Sequence, residues 1–172
     1  MKKLYYRLWY RLDHNDRYLI WYNVEEVDED LDGVVLDLNG KIPTFTSLDA
    51  LSAYAQAEAI PIVEEEPILH NLDAVAEWLK IERRDTADLN CDELLAAWNL
   101  FADVSRSIAD NFDAGYDWNK DIYMKLFWGN NLPPITPEGE CYIPLWSKDE
   151  KQTIHEVISQ GLQMFRDNIE YQ

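Results

Sequence analysis

From Leu4 to Leu12 apolar and polar positions alternate. Leu4, Tyr6, Leu8, Tyr10 and Leu12 fall on even numbers, while Lys3, Arg7 and Arg11 fall on odd ones. A period of two places successive side chains on opposite faces and predicts a half-buried strand. Asp13-His14-Asn15-Asp16 supplies turn residues, and residues 18–24, Tyr-Leu-Ile-Trp-Tyr-Asn-Val, read as the returning strand, so the two runs form a hairpin. A third strand is expected over residues 34–38, then a turn at Asn39-Gly40 and a short extended piece over 42–45. Thr46 or Ser47 caps a helix with Leu48, Leu51, Tyr54 and Ala55 on one face, and residues 60–63 return as an edge strand, where Pro61 is tolerated.

Beyond Glu64-Glu65-Glu66-Pro67 the period becomes helical. Leu72, Val75, Ala76 and Leu79 mark a short helix. Leu94, Trp98, Phe101, Ser105, Ile108 and Phe112 advance by fours and threes, behind Asn90 and Glu93 placed like a capping box. Residues 122–131 predict another short helix ending at Gly129, and Pro133, Pro134 and Pro137 then impose an extended loop. Ser147-Lys148-Asp149-Glu150 opens a last helix, with Ile154, Val157, Ile158, Leu162, Phe165 and Ile169 on one face. The expected fold is α+β: a small, mainly antiparallel sheet with a covering helix over residues 1–66, then a helical part over 67–172 sharing its core.

Charge changes the picture more than any motif does. The 172 residues include 33 acidic and 15 basic ones, a net charge of -18, yet 47% are hydrophobic. That apolar content supports a folded core and excludes disorder as the reason for the acidity. Residues 1–60 hold six basic and eleven acidic residues, and residues 61–172 hold nine and twenty-two. Both parts are acidic, so no basic nucleic-acid arm is balanced by an acidic tail. The two cysteines, fifty positions apart, form no CxxC pair, and the N-terminal apolar run breaks at Arg7 and Arg11. With no long apolar stretch besides, the chain reads as a cytoplasmic, soluble protein rather than a secreted or membrane one.

The acid gathers in two runs. One comprises Glu25, Glu26, Asp28, Glu29, Asp30 and Asp32; the other is Glu64, Glu65 and Glu66. Clustered carboxylates raise each other's cost of ionisation, so they are well solvated or face a cationic partner. These nine residues are the candidate partner-binding set. Asp28, Asp30, Asp32 and Gly33 also match the D-x-D-x-D-G opening of a calcium loop, and an acidic calcium-binding regulatory module is the alternative function. The match ends at the twelfth position, where a closing Glu is replaced by Asn39.

Catalysis finds little support. His14, His70 and His155 lack zinc spacing, and there is no nucleophile elbow, Walker loop or dinucleotide fingerprint. Asp103 and Asp110, one heptad apart, are the carboxylates a hydrolase reading would use, but no nucleophile, base and oxyanion donor assemble around them. No enzyme, cofactor or metal site is expected. Tyr5, Arg7, Trp9 and Arg11 imitate a stacking platform for single strands, but the global charge opposes a polyanion, so they are expected to cover a sheet face or pair with acidic groups. Residues 123–139 concentrate aromatics, Asn130-Asn131 and prolines in a loop suited to presenting anchors to a partner.

The order of segments resembles an immunity protein of bacterial contact-dependent growth inhibition, a polymorphic toxin system. The segments are the aromatic hairpin, the acidic turn closing on Asp32-Gly33-Val34-Val35, Phe45-Thr46-Ser47-Leu48-Asp49-Ala50-Leu51, Leu72-Asp73-Ala74-Val75-Ala76-Glu77-Trp78-Leu79, Ala97-Trp98-Asn99-Leu100-Phe101, and the loop over 125–137. The resemblance implies a cytoplasmic, non-enzymatic inhibitor of the toxic C-terminal domain of a cognate effector. Such toxins include RNases and DNases that grip polyanions with Lys and Arg, and an acidic protein can occlude the same groove. It implies a cationic protein partner and no direct nucleic-acid or membrane binding.

Overall fold

The alternating N-terminal run closes into a hairpin in which β1 (Lys2–Leu12) pairs antiparallel with β2 (Asn15–Glu25), Leu12 facing Asn15. Asp13 and His14 form the turn at φ 52° and 61°. Positive φ at both central residues is the turn geometry whose twist matches that of the flanking strands. The tip is anchored to two helical segments: the His14 N–H donates to Asp73 Oδ2 at 2.9 Å, and Arg166 Nη2 donates to Asp13 Oδ1 at 2.8 Å. The computed structural model describes residues 2–25, 31–81, 89–110, 112 and 119–172.

Two short strands complete the hairpin sheet in the order β3-β2-β1-β5. β3 (Gly33–Val34) covers only the start of the expected third strand, because Asp37 turns the chain by accepting from the N–H groups of Asn39 at 2.8 Å and Lys41 at 2.9 Å. Gly40 at φ 74° completes that turn. The expected edge strand over 60–63 reduces to a parallel bridge of Ile62 on Tyr5, and the pairing that follows is β5 (Leu69–Asn71), parallel to β1 with Leu69 facing Trp9.

The extended piece over 42–45 supplies β4 (Ile42–Thr44), whose partner is β6 (Ile169–Tyr171), parallel and in register Ile42 to Ile169. Ile169, expected on the last helix, is therefore the first residue beyond it. Phe45 joins this small sheet to the hairpin through paired backbone bonds with Tyr18, at 2.9 and 2.8 Å.

Four of the five helices among the described residues start where a side chain satisfies their first orphan N–H groups. Ser47 caps α1 (Leu48–Ala57) and Asn71 caps α2 (Leu72–Leu79). Asn90 Oδ1 accepts from Asp92 N and Glu93 N to start α3 (Cys91–Ile108). The reciprocal half of that expected box is replaced by a bond from Asn71 Nδ2 to Glu93, and α3 stops at left-handed Ala109, before Phe112. α4 (Lys120–Gly129) starts at Asn119 without a side-chain cap and is followed by α5 (Lys148–Asn168), whose Ser147–Glu150 capping box forms in both directions.

The sheet lies between two apolar layers. On one side Ile20 and Phe45 meet Leu51 and Ala55 of α1. On the other, Leu8, Tyr10, Leu12 and Leu19 join Val75 of α2, Trp98 and Phe101 of α3, Leu126 of α4 and Phe165 of α5 in one cluster. The α+β architecture expected from the sequence is present, with its helical part in α3 to α5.

Candidate functional site

The second acidic run borders a cleft beside β1, whereas the described residues of the first run, Glu25 and Asp32, do not line it. Ile62 faces Tyr5 and Leu69 faces Trp9, so the strap between these pairings uses seven steps of chain where β1 uses four. The surplus bows away from the strand edge at Tyr6, Arg7 and Leu8. Between the bowed strap, the sheet and α3 lies a cleft of about 420 Å³, lined by Glu65, Glu66, Pro67 and Ile68 of the strap, Tyr6, Arg7, Leu8, Trp21 and Asn23 of the sheet, His70, and Asn99, Leu100 and Asp103 of α3.

The described acidic residues of the two runs take distinct positions. Glu65 and Glu66 are exposed on the cleft wall. Glu64 does not line the cleft and binds the Arg7 guanidinium, Nη2 lying 2.8 and 2.9 Å from its two oxygens. Glu25 pairs with Lys2 at 2.8 Å at the open end of the hairpin. Asp32 is a structural acceptor: its Oδ1 takes Asn23 Nδ2 at 2.9 Å and the Val24 N–H at 3.1 Å, holding Asn23, a cleft residue, in place. Glu26, Asp28, Glu29 and Asp30 lie outside the described residues, and with them most of the calcium-loop reading.

Sequence reasoning missed the floor of this cleft. Trp21 donates its indole N–H to Asp103 Oδ2 at 2.7 Å, while Arg106 holds Asp103 Oδ1 at 2.8 and 3.1 Å. The Tyr6 and Trp21 rings are tilted together with centroids 5.7 Å apart. Burial pushes the His70 imidazole below its ordinary value, favouring the neutral ring at pH 7. The available signal was Asp103 itself, a charged residue between Ala102 and Val104 on the apolar stripe of α3.

Other candidates take structural places. Asp103 is buried and bound as above, whereas Asp110 is exposed and its backbone carbonyl accepts from Ser105 Oγ at 3.2 Å; the structure does not join them into an acid–base pair. On the platform-like face of β1, Tyr5 meets Tyr22, Trp9 stacks on Tyr18, Arg7 binds Glu64 and Arg11 binds Asp16. These contacts make it a covered and neutralised face. Among the described residues no three His, Cys, Asp or Glu side chains gather as a metal site, and no helix is long and apolar enough to cross a membrane. The loop after α4 exposes Leu132, Ile135, Tyr142, Ile143 and Leu145. It is braced by Asn131, whose carboxamide bonds the N–H and carbonyl of Tyr142 at 2.6 and 2.9 Å.

No family model matches the sequence, and no curated protein matches it. Among solved structures, the chain is similar to the SatS C-terminal domain, crystallised in complex with bromine. The two share 11% identity at a TM-score of 0.55, over 98% of this chain and 94% of that one. At this identity the likeness shows a shared fold.

Proposed function

We propose that the protein is a stoichiometric, non-catalytic inhibitor of a cationic protein. It acts as an immunity protein that occludes the nucleic-acid groove or active site of a nuclease domain from a contact-dependent growth inhibition effector, in the cytoplasm. The observation that carries this reading is the distribution of charge. Lys2, Arg7, Arg11, Lys80, Arg106, Lys125 and Arg166 each face a carboxylate of the same chain. Lys3 and Arg17 lie over the rings of Tyr22 and Tyr171. Meanwhile Asp49, Glu58, Glu65, Glu66, Asp92, Asp121, Glu138, Glu140 and Asp149 are exposed.

The net charge of -18 surrounds the protein with a negative field, and seven of its fifteen cations already face carboxylates of the same chain. Such a field steers a basic protein toward contact and repels nucleic acid, which competes for the same basic groove. The segment order shared with immunity proteins supports the same reading.

The test is co-purification with the C-terminal toxin domain encoded beside its gene, followed by association kinetics at rising salt. A one-to-one complex is expected, which abolishes nuclease activity and forms more slowly as salt rises. Absence of a complex with that domain overturns the proposal.

A further inference from the structure

We infer that the cleft between the strap and α3 receives an arginine side chain of the cationic partner. This inference rests on the proposed function and names the place where that partner is held. The volume, about 420 Å³, lies in the range of small-ligand sites and accommodates one long side chain with ordered water.

Its lining selects charge of one sign. Glu65, Glu66 and Asp103 contribute three carboxylates, against which Arg7 is the one guanidinium, already held by Glu64. Arg106, behind Asp103, neutralises part of that floor, which leaves Glu65 and Glu66 as the exposed acidic pair at the mouth. The burial that favours a neutral His70 leaves that ring as a weak competitor for the carboxylates.

The aromatic wall selects shape. Tyr6 and Trp21 line the cleft half-buried, and the indole bond to Asp103 fixes the Trp21 ring before any ligand arrives. A guanidinium is planar and weakly hydrated, stacks on aromatic faces and forks onto carboxylates, whereas an ammonium is a compact, strongly hydrated point charge. Pro67 and the exposed Ile68 of the strap offer apolar surface to the methylene stem. Arginine therefore uses wall, mouth and stem contacts together.

The test is titration of the full protein with the peptide acetyl-Gly-Arg-Gly-amide and with its citrulline isostere, followed by NMR at the assigned Trp21 indole N–H. A saturable shift is expected with arginine, weaker by about fivefold or more with citrulline and in the E65Q/E66Q double variant. Both substitutions are on exposed residues, so folding is preserved. No shift with arginine, or equal shifts with arginine and citrulline, overturns the inference.

In the complex, the same double variant is expected to dissociate from the toxin domain about tenfold faster, against a small change for the similarly exposed pair E138Q/E140Q. If the toxin domain binds both variants alike, the cleft assignment fails and the inhibitor reading stands. If the arginine peptide binds but no toxin domain does, the inhibitor reading fails and the cleft stands.

Discussion

Trp21 on β2 and Asp103 on α3, 82 positions apart in the chain, meet in a 2.7 Å hydrogen bond that joins the hairpin to the buried face of α3. Asp103 is 9% exposed, and its second oxygen faces Arg106. Removing the carboxylate takes the acceptor from the Trp21 indole N–H. Asp103→Ala is expected to cost about 2–3 kcal/mol in urea unfolding, and Asp103→Asn less, because an amide oxygen still accepts from the indole. Equal losses for the two variants would show that charge, not the acceptor, holds the pair.

Close packing of α3 on α5 depends on Gly161. A Cβ there would stand 2.3 Å from Cδ2 of Phe101, itself fully buried and tilted against Phe165 with ring centroids 6.2 Å apart. Gly161→Ala gains helix propensity yet forces that ring aside, so a net loss of about 1–3 kcal/mol is expected in chemical denaturation. A stabilised variant would mean the two helices separate easily.

Tyr10 sits 1% exposed, edge-on to Phe165, and burial pushes its phenol up to about 12. The folded-state value lies above the unfolded one of 10.0, so the stabilisation is complete below pH 10 and is lost as pH rises toward 12. Wild-type stability should therefore fall across that window by about 2–3 kcal/mol more than that of Tyr10→Phe. Parallel pH profiles for the two proteins would contradict this.

Where β6 runs beside the 37–41 turn, a hydrogen bond with Asp37 holds the Glu170 carboxyl above its ordinary value. Asp37 is held below its own, first by the Lys41 N–H and then by Glu170. Glu170 thus contributes stability when protonated and loses it as pH rises through its raised value, leaving two carboxylates adjacent at pH 7. Glu170→Gln keeps a donor toward Asp37 at every pH. The variant should melt higher than wild type at pH 7, with the difference shrinking at pH 4, as followed by circular dichroism.

The hairpin was legible because nine alternating residues outweigh any competing period, and α5 because the Ser147–Glu150 box and its apolar stripe agree. β5 and β6 were not. Each has three residues and abuts a helix end, so neither shows a period of its own; Ile169 continues the stripe of α5 although the backbone has already become extended. Of the cleft, Glu65 and Glu66 were visible as charge. Trp21 and Asp103 were visible only as an aromatic and a misplaced acid, because nothing local to either sequence position specifies the other.

The strap that walls the cleft also guards a strand edge. An eleven-residue strand reading Lys-Lys-Leu-Tyr-Tyr-Arg-Leu-Trp-Tyr-Arg-Leu is, if left bare along one side, a template for pairing with another chain. Ile62 and Leu69 clamp both ends of the vulnerable stretch, and between them stand three consecutive carboxylates and Pro67. Charge and proline at such a position discourage a second strand from docking, so the residues that give the cleft its acidity also act as gatekeepers against aggregation.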